Sequence, residues 1–299
     1  MSQPTVTYHS LRSLGSKASL EFWPKPNAGV MLFYPGTMLS PRQYRPLLAA
    51  LHEAGFAVAA LHLTGHGRNS HWTGFTFADL LQDGLAAERW LRQEGFNAIA
   101  VSGHSQGGIL TMAHAAASQG LTAAFPITGT LPQNDDTMDL TLFRRWKNKR
   151  REFAASLNAA AGWLPHLPLP LSAYLSVRRI TSGARRLVYD RKGARLTYPL
   201  AFLASLFSAN VSEEMHCPLY LFSAVNDALF TPANTKATFE MLRAPVKKLL
   251  WLPGGGHLAV MNPPLCRFMA RHAAAVCAGQ GLPLQMEASA ARGGAHHGL

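Results

Sequence analysis

The run Asn97-Ala98-Ile99-Ala100-Val101-Ser102-Gly103-His104-Ser105-Gln106-Gly107 passes without a linker from an apolar β-type stretch into a Gly-x-Ser-x-Gly pattern. A helical pattern follows as far as Ser118, so the spacing predicts strand, sharp turn and helix with Ser105 at the turn. Such a turn strains its central residue and crowds neighbouring chain against it, and glycine on either side is the residue that fits. A serine displayed in this way is a candidate nucleophile if the chain also supplies a base and a carboxylate.

Outward from that run, apolar strand-like segments alternate with helical ones. Residues 5–12 and 18–23 read as an opening antiparallel pair, 30–34 as a buried strand ending in Pro35-Gly36, 41–53 as a helix, 57–63 as a strand and 77–94 as a helix. Beyond the serine come strands at 123–127 and 218–222, a helix at 232–242, a strand at 247–252 and a helix at 264–277. This rhythm predicts an α/β protein with a mostly parallel sheet flanked by helices. It is broken once. Residues 1–130 and 209–280 are expected to form the core, 131–208 an inserted lid, and the small, Gly-rich residues 281–299 a loose tail.

The insert concentrates charge. Of the chain's formal +12, +8 lies between Leu131 and Leu200, where Arg144, Arg145, Lys147, Lys149, Arg150, Arg151, Arg178, Arg179, Arg185, Arg186, Arg191, Lys192 and Arg195 face five acids. Between the basic clusters, residues 163–171 read Trp-Leu-Pro-His-Leu-Pro-Leu-Pro-Leu, which prolines prevent from continuing a regular helix. That apolar stretch is expected to cover a cleft, with Trp163, Leu167 and Leu169 touching the apolar part of a substrate. The charge predicts attraction to anionic lipid or an acidic substrate, or else a merely solvated face. Nucleic acid is not expected, since no recognised module accompanies the charge.

A serine hydroxyl is a weak nucleophile until an imidazole removes its proton, and that imidazole needs an acceptor behind it to fix its tautomer. Downstream of Asp190 there is a single aspartate, Asp227, just past the strand-like Leu219–Phe222, while Glu213, Glu214, Glu240 and Glu287 directly follow no predicted strand. His257 closes Pro253-Gly254-Gly255-Gly256-His257, a glycine-rich loop immediately after the strand ending at Leu252. The order Ser105, Asp227, His257 is the one expected for a triad on such a sheet. The bland alternatives are an Asx turn near Thr231 for Asp227 and a loop histidine for His257. An oxyanion would need two backbone N–H donors; Gln106 is placed by the turn, and the second is expected from the turn after the first parallel strand, with Thr37 ahead of Met38.

Composition bounds the rest. With 299 residues, 48% hydrophobic and 15% charged, the chain can bury a sizeable core, which excludes wholesale disorder. The opening is polar and no window of about 18 residues is uninterruptedly apolar, which argues against a leader or a spanning helix and makes a cytoplasmic protein the expectation. Cys217, Cys266 and Cys277 form no CxxC pair and read as buried thiols. His62, His66, His71 and His104 lack metal-ligand spacing, so no metal and no cofactor is expected.

Pro35-Gly36-Thr37, Gly65-His66-Gly67, Gly103-His104-Ser105-Gln106-Gly107, Asp227 and Gly256-His257 together resemble the α/β-hydrolases, in particular the lysophospholipase and monoacylglycerol-lipase-like, serine aminopeptidase-type branch, over about residues 28–277. The resemblance implies that Ser105 is nucleophile, His257 base and Asp227 its partner, with the insert a lid over the acyl site. The chain departs from the family at Pro35-Gly36, where His-Gly is usual, and at His62, where an aspartate is usual. The expected activity is hydrolysis of a carboxylic ester or thioester with an apolar acyl group, on a small-molecule or lipid substrate. An acyltransferase or peptidase on the same scaffold, or a non-catalytic binding homologue, are the rival expectations.

Overall fold

The computed structural model describes residues 5–171, Leu175 and residues 197–280. Eight strands form one sheet: β1 (Thr7–Ser10), β2 (Ser19–Trp23), β3 (Val30–Tyr34), β4 (Ala57–His62), β5 (Ile99–His104), β6 (Ala123–Ile127), β9 (Leu219–Ala224) and β10 (Lys247–Leu252). Their spatial order is β1-β2-β4-β3-β5-β6-β9-β10. β1 and β2 pair antiparallel, β2 meets β4 antiparallel, and every later pairing is parallel. Parallel strands covered on both faces read as continuous apolar runs, and β3, β4, β5, β6 and β9 are buried at every position.

The strand period divides these residues between two apolar layers. Val30, Leu32 and Tyr34 pack in one cluster with α2 (Phe77–Gln93) and α3 (Gln106–Ala117). Met31 and Phe33 pack in the other, against α1 (Arg45–Glu53) and residues Pro263–Gly279, the last helix. α2 starts at a capping box in which Thr76 Oγ1 accepts the Asp79 amide and Asp79 accepts that of Thr76. The helix predicted at 41–53 begins as a 3-10 turn, Pro41–Tyr44, before α1. Two strands lie later than their composition suggested: 97–102 is observed as Ile99–His104 and 218–222 as Leu219–Ala224. The shift follows from ladder pairing, which carries β5 on to His104↔Ile127 and β9 to Leu252↔Ala224.

Between β6 and β9 the chain makes 3-10 turns at Asp135–Leu140 and Arg144–Lys149, then α4 (Arg150–Trp163), a two-stranded antiparallel ribbon of β7 (Pro168–Pro170) with β8 (Thr197–Pro199), and α5 (Leu200–Ser208). The expected break in helix after Trp163 is present. Of the insert's basic residues, Arg178, Arg179, Arg185, Arg186, Arg191, Lys192 and Arg195 lie outside the described residues, as does the expected tail, 281–299. Among the rest, Lys147 pairs with Asp136 and Asp139, and the Arg150 guanidinium donates to the carbonyls of Pro132 and Phe207. α6 (Pro232–Met241) lies between β9 and β10, and α7 is the helix Pro263–Gly279.

Two further buried features lie away from the sheet's working edge. Asp83 on α2 accepts from Ser16 Oγ (2.6 Å), Thr64 N (2.7 Å) and Thr64 Oγ1 (3.0 Å), and burial pushes its carboxyl up to about 6. All three cysteine thiols are buried and free, and burial pushes each up to about 12. Among the described residues no helix is long and apolar enough to cross a membrane.

Candidate active site

Ser105 stands between β5 and α3 with φ 60° and ψ −116°, a conformation a non-glycine residue holds only when its surroundings enforce it. Enforcement is steric. A Cβ at Gly103 would lie 2.3 Å from the Gly107 carbonyl oxygen, and one at Gly107 would lie 2.2 Å from that of Tyr34. The pattern's two glycines thus let β3, β5 and the start of α3 close on each other and leave Ser105 at the rim.

Three chain-distant groups meet there. Asp227 follows β9, and its Oδ1 accepts the amides of Leu229 (2.8 Å) and Phe230 (2.9 Å), which is the Asx-turn arrangement. Its Oδ2 remains for His257 Nδ1, 2.9 Å away. The structural and the chemical reading of Asp227 therefore coexist in one carboxylate. A carboxylate can only accept, so Nδ1 carries the proton and Nε2 is left as acceptor, 3.2 Å from Ser105 Oγ. The loop carrying His257 is tied to Asp227's loop by the Gly256 amide, which donates to Asn226 Oδ1 at 3.0 Å. Phe230 stacks on the His257 ring at 5.4 Å with planes 10° apart.

His104 supports the same imidazole from behind. Its Nε2 lies 2.8 Å from the His257 carbonyl oxygen, so Nε2 carries the proton and Nδ1 accepts from Tyr44 Oη at 2.9 Å. Tyr44 Oη in turn accepts the Gly36 amide at 2.9 Å. Burial, reinforced by neighbouring His257, pushes His104 well below the usual histidine range, so it stays neutral. One hydrogen-bonded line joins the backbone of His257 to the turn after β3.

That turn carries the two candidate oxyanion donors, and the structure separates them. The Met38 amide donates to Tyr198 Oη at 2.9 Å, so it is not available, which corrects its place as the second choice. Thr37 lines the same cavity as Ser105 and Gln106, and among the described residues neither the Thr37 nor the Gln106 amide has a protein acceptor. Gln106 is the first residue of α3, where backbone N–H groups have no intrahelical partner.

The cavity beside Ser105 is walled by Ile109, Leu140, Leu175, Leu206, Phe207 and Phe230. Threonines complete it, yet Thr137 and Thr141 give their hydroxyls to the carbonyls of Asn134 and Met138. The Thr130 hydroxyl is engaged by Thr238. The walls are therefore effectively apolar.

The residues expected to touch substrate are elsewhere. Trp163, at the end of α4, is 88% exposed and Leu167 is 42% exposed. Leu169 packs against the larger core cluster, and none of the three borders the cavity. The stretch with prolines at 165, 168 and 170 leaves the helix and pairs with β8, while the Leu167 and Pro165 carbonyls accept the Leu200 and Ala201 amides. The actual liners come from α3, a 3-10 turn, Leu175, α5 and the loop after Asp227, of which only Ile109 and Phe230 carried a usable signal, through their nearness to Ser105 and Asp227. Tyr198 and Tyr44 also escaped notice in the sequence, where His66 reads only as part of a motif and as a histidine without metal-ligand spacing. Gly65-His66-Gly67 is a turn, and His62 Nδ1 accepts the Arg68 amide at 3.3 Å.

Comparison with known proteins agrees with this fold. The monoglyceride lipase of Saccharomyces cerevisiae superposes with a TM-score of 0.69 at 15% identity, covering 94% of this chain and 97% of that one. The monoacylglycerol lipase of Paleococcus ferrophilus gives 0.69 at 16% identity, covering 87% and 98%. A carboxylesterase of Nitrososphaera gargenis gives 0.61 at 21%, covering 91% and 100%. At these identities the likeness speaks for the fold, which is the α/β-hydrolase fold. No curated protein sequence matches the chain. Residues 25–264 match the family described as serine aminopeptidase, S33, and with four-fifths of its length matched, the chain belongs to that family.

Proposed function

We propose that this chain is a serine hydrolase that cleaves a carboxylic ester, or thioester, with an apolar acyl group. The observation that carries this reading is the hydrogen-bonded line from Asp227 through His257 to Ser105 at the wall of an apolar cavity. His257 Nε2 takes the Ser105 proton as Oγ bonds to the substrate carbonyl carbon, and Asp227 stabilises the imidazolium that forms. The carbonyl oxygen becomes an oxyanion facing the Thr37 and Gln106 amides. Collapse expels the alcohol, or thiol, with the proton from His257. Water then attacks the acyl-enzyme while His257 removes its proton, and the free acid leaves as Ser105 regains its hydrogen. The ester hydrolases among the similar folds support this class of substrate. A peptidase of amino termini would need an acid to hold the substrate ammonium, and the described cavity residues include none.

Residues 131–208 would serve as a lid, with α5 forming one wall of the acyl site. In that lid Trp163, Leu164 and Leu167 are exposed at the C-terminal end of α4, and the basic turn Arg144–Lys149 leads into its N-terminal end, which supports contact with anionic lipid along this helix. An active-site-directed fluorophosphonate tests the chemistry: covalent labelling at Ser105, and turnover of p-nitrophenyl esters with free acid as product, are expected. A binding homologue would take no label, and an acyltransferase would pass the acyl group to an added alcohol in preference to water.

A further inference from the structure

The geometry points to Tyr198 as a positioning residue that sets the oxyanion turn from within the inserted segment, so that the site is assembled only while β8 and α5 are seated on the core. The inference rests on the ester-hydrolase reading of Ser105.

Tyr198 is fully buried, 160 residues from Met38 in sequence, and its hydroxyl is the junction of three loops. It lies 2.9 Å from Met38 N, 2.6 Å from His66 Nε2 and 3.0 Å from the Gln106 side-chain amide. The protons can be placed. His66 Nδ1 faces the Thr64 carbonyl at 2.9 Å, so in the neutral ring Nδ1 carries the hydrogen and Nε2 accepts the Tyr198 proton. The Tyr198 oxygen then has two lone pairs left. Met38 N–H fills one. The Gln106 side chain meets the same oxygen, with Oε1 at 3.0 Å, and an amide turned to face the tyrosine would donate Nε2 to the other lone pair. Of the three partners, Met38 adjoins Thr37 and Gln106 is itself the other candidate oxyanion donor.

The mechanical consequence lies at Met38. Its φ is 64°, and among the described residues only Asn27, Ser105 and Thr128 share a positive φ without being glycine. A methionine does not adopt that conformation unprompted; it sits in a turn closed by the Leu39 amide on the Gly36 carbonyl at 3.0 Å, and the hydrogen bond from its own amide to Tyr198 Oη ties that turn to the insert. Without that tether the turn keeps its own closing bond but loses its anchor to the insert, and Thr37 is free to shift relative to Gln106. The ring that delivers the hydroxyl is itself caged by Phe202 (centroids 4.4 Å), His66 (5.4 Å) and Phe75 (5.6 Å). Phe202 lies on α5, which is pinned to the start of α2 by the Phe77 amide donating to Ser205 Oγ at 2.8 Å. Seating of the insert and aim of the oxyanion turn are thus one packing event.

Tyr198→Phe keeps the ring and deletes the hydroxyl. In the full chain we expect kcat for a p-nitrophenyl ester to fall about 10- to 100-fold with KM within about twofold, because the lost interaction acts on the transition state. Affinity for an alkyl trifluoromethyl ketone, whose hemiketal oxygen occupies the oxyanion position, should fall in the same proportion. Hydrogen exchange read on peptides spanning residues 34–44 should show Met38 protected in the wild type and faster in the variant. If the wild-type Met38 amide exchanges freely, the inference is wrong whatever the variant does. Should Tyr198→Phe retain kcat and analogue affinity within twofold while the wild type turns over, the inference fails and the hydrolase reading stands. A loss that disappears when the assay is cooled below the variant's melting range is destabilisation and also overturns it. No ester turnover by the wild type at all would remove the hydrolase reading and this role together.

Discussion

Among the described residues the proton on Ser105 has one acceptor within reach, and that acceptor is oriented from behind by a carboxylate whose second oxygen is already committed to two amides. Ser105→Ala is therefore expected to lower kcat by roughly 10⁵- to 10⁶-fold while leaving the fold intact, read in ester turnover beside circular dichroism. Asp227→Asn is a sharper case. Asparagine can still accept the Leu229 and Phe230 amides, but it presents NH2 to His257 Nδ1, which stabilises the tautomer with the proton on Nε2 and removes the acceptor from Ser105. A drop of about 10⁴-fold is expected, and turnover within tenfold of wild type would exclude Asp227 from the proton path. These residues were legible in the sequence because each stands just past an apolar strand run. Tyr198 was not, since nothing local distinguishes a tyrosine whose hydroxyl will meet an amide 160 positions away.

At the scale of elements, the turn from β5 to α3 is a contact between backbones. Gly107→Ala would set a methyl 2.2 Å from the Tyr34 carbonyl oxygen, and backbone on both sides cannot yield as a side chain would. The expected cost is about 3 kcal/mol or more, visible as a lower urea midpoint together with loss of fluorophosphonate labelling; an unchanged midpoint would show the turn to be looser than described. The strands and helices of the core followed from periodicity, because long buried runs and capped helices carry their own signals, whereas the strand order did not. The insert did not yield to the same reading. Its cavity wall is made by a 3-10 turn and by residues such as Leu206 and Phe207, whereas the conspicuous Trp163 and Leu167 face solvent. Apolar composition marks what avoids water on average, but prolines decide where a stretch can run.

For the whole molecule, charge and burial set the responses to solution conditions. Folding raises the Asp83 carboxyl from its ordinary value to about 6. Its contribution is therefore fully present below the unfolded value near 4 and is lost as pH rises through about 6. Relative to Asp83→Asn, the wild type should gain on the order of 2 kcal/mol between pH 7 and pH 4, measurable as diverging urea midpoints; parallel curves would show that Asp83 titrates alike folded and unfolded. Glu88, held down to about 2 by His114 and Arg92 despite its burial, works in the opposite sense and loses its contribution below about pH 4.5. The proposed lipid contact has its own signature. Pelleting with phosphatidylglycerol vesicles should weaken steeply as salt rises to about 0.5 M, and Trp163→Ser should weaken it by about tenfold; pelleting that ignores both salt and Trp163 would dismiss that surface.

Because Cys217, Cys266 and Cys277 are the chain's whole complement of cysteine, and all three are sealed inside with thiols that resist ionisation, the folded protein should be silent toward maleimides. A cysteine exchanged for Trp163 would then be the sole addressable position, with no native thiol to remove first. A fluorophore attached there would sit on the outer surface of the insert and report, in real time, whether that surface approaches a bilayer.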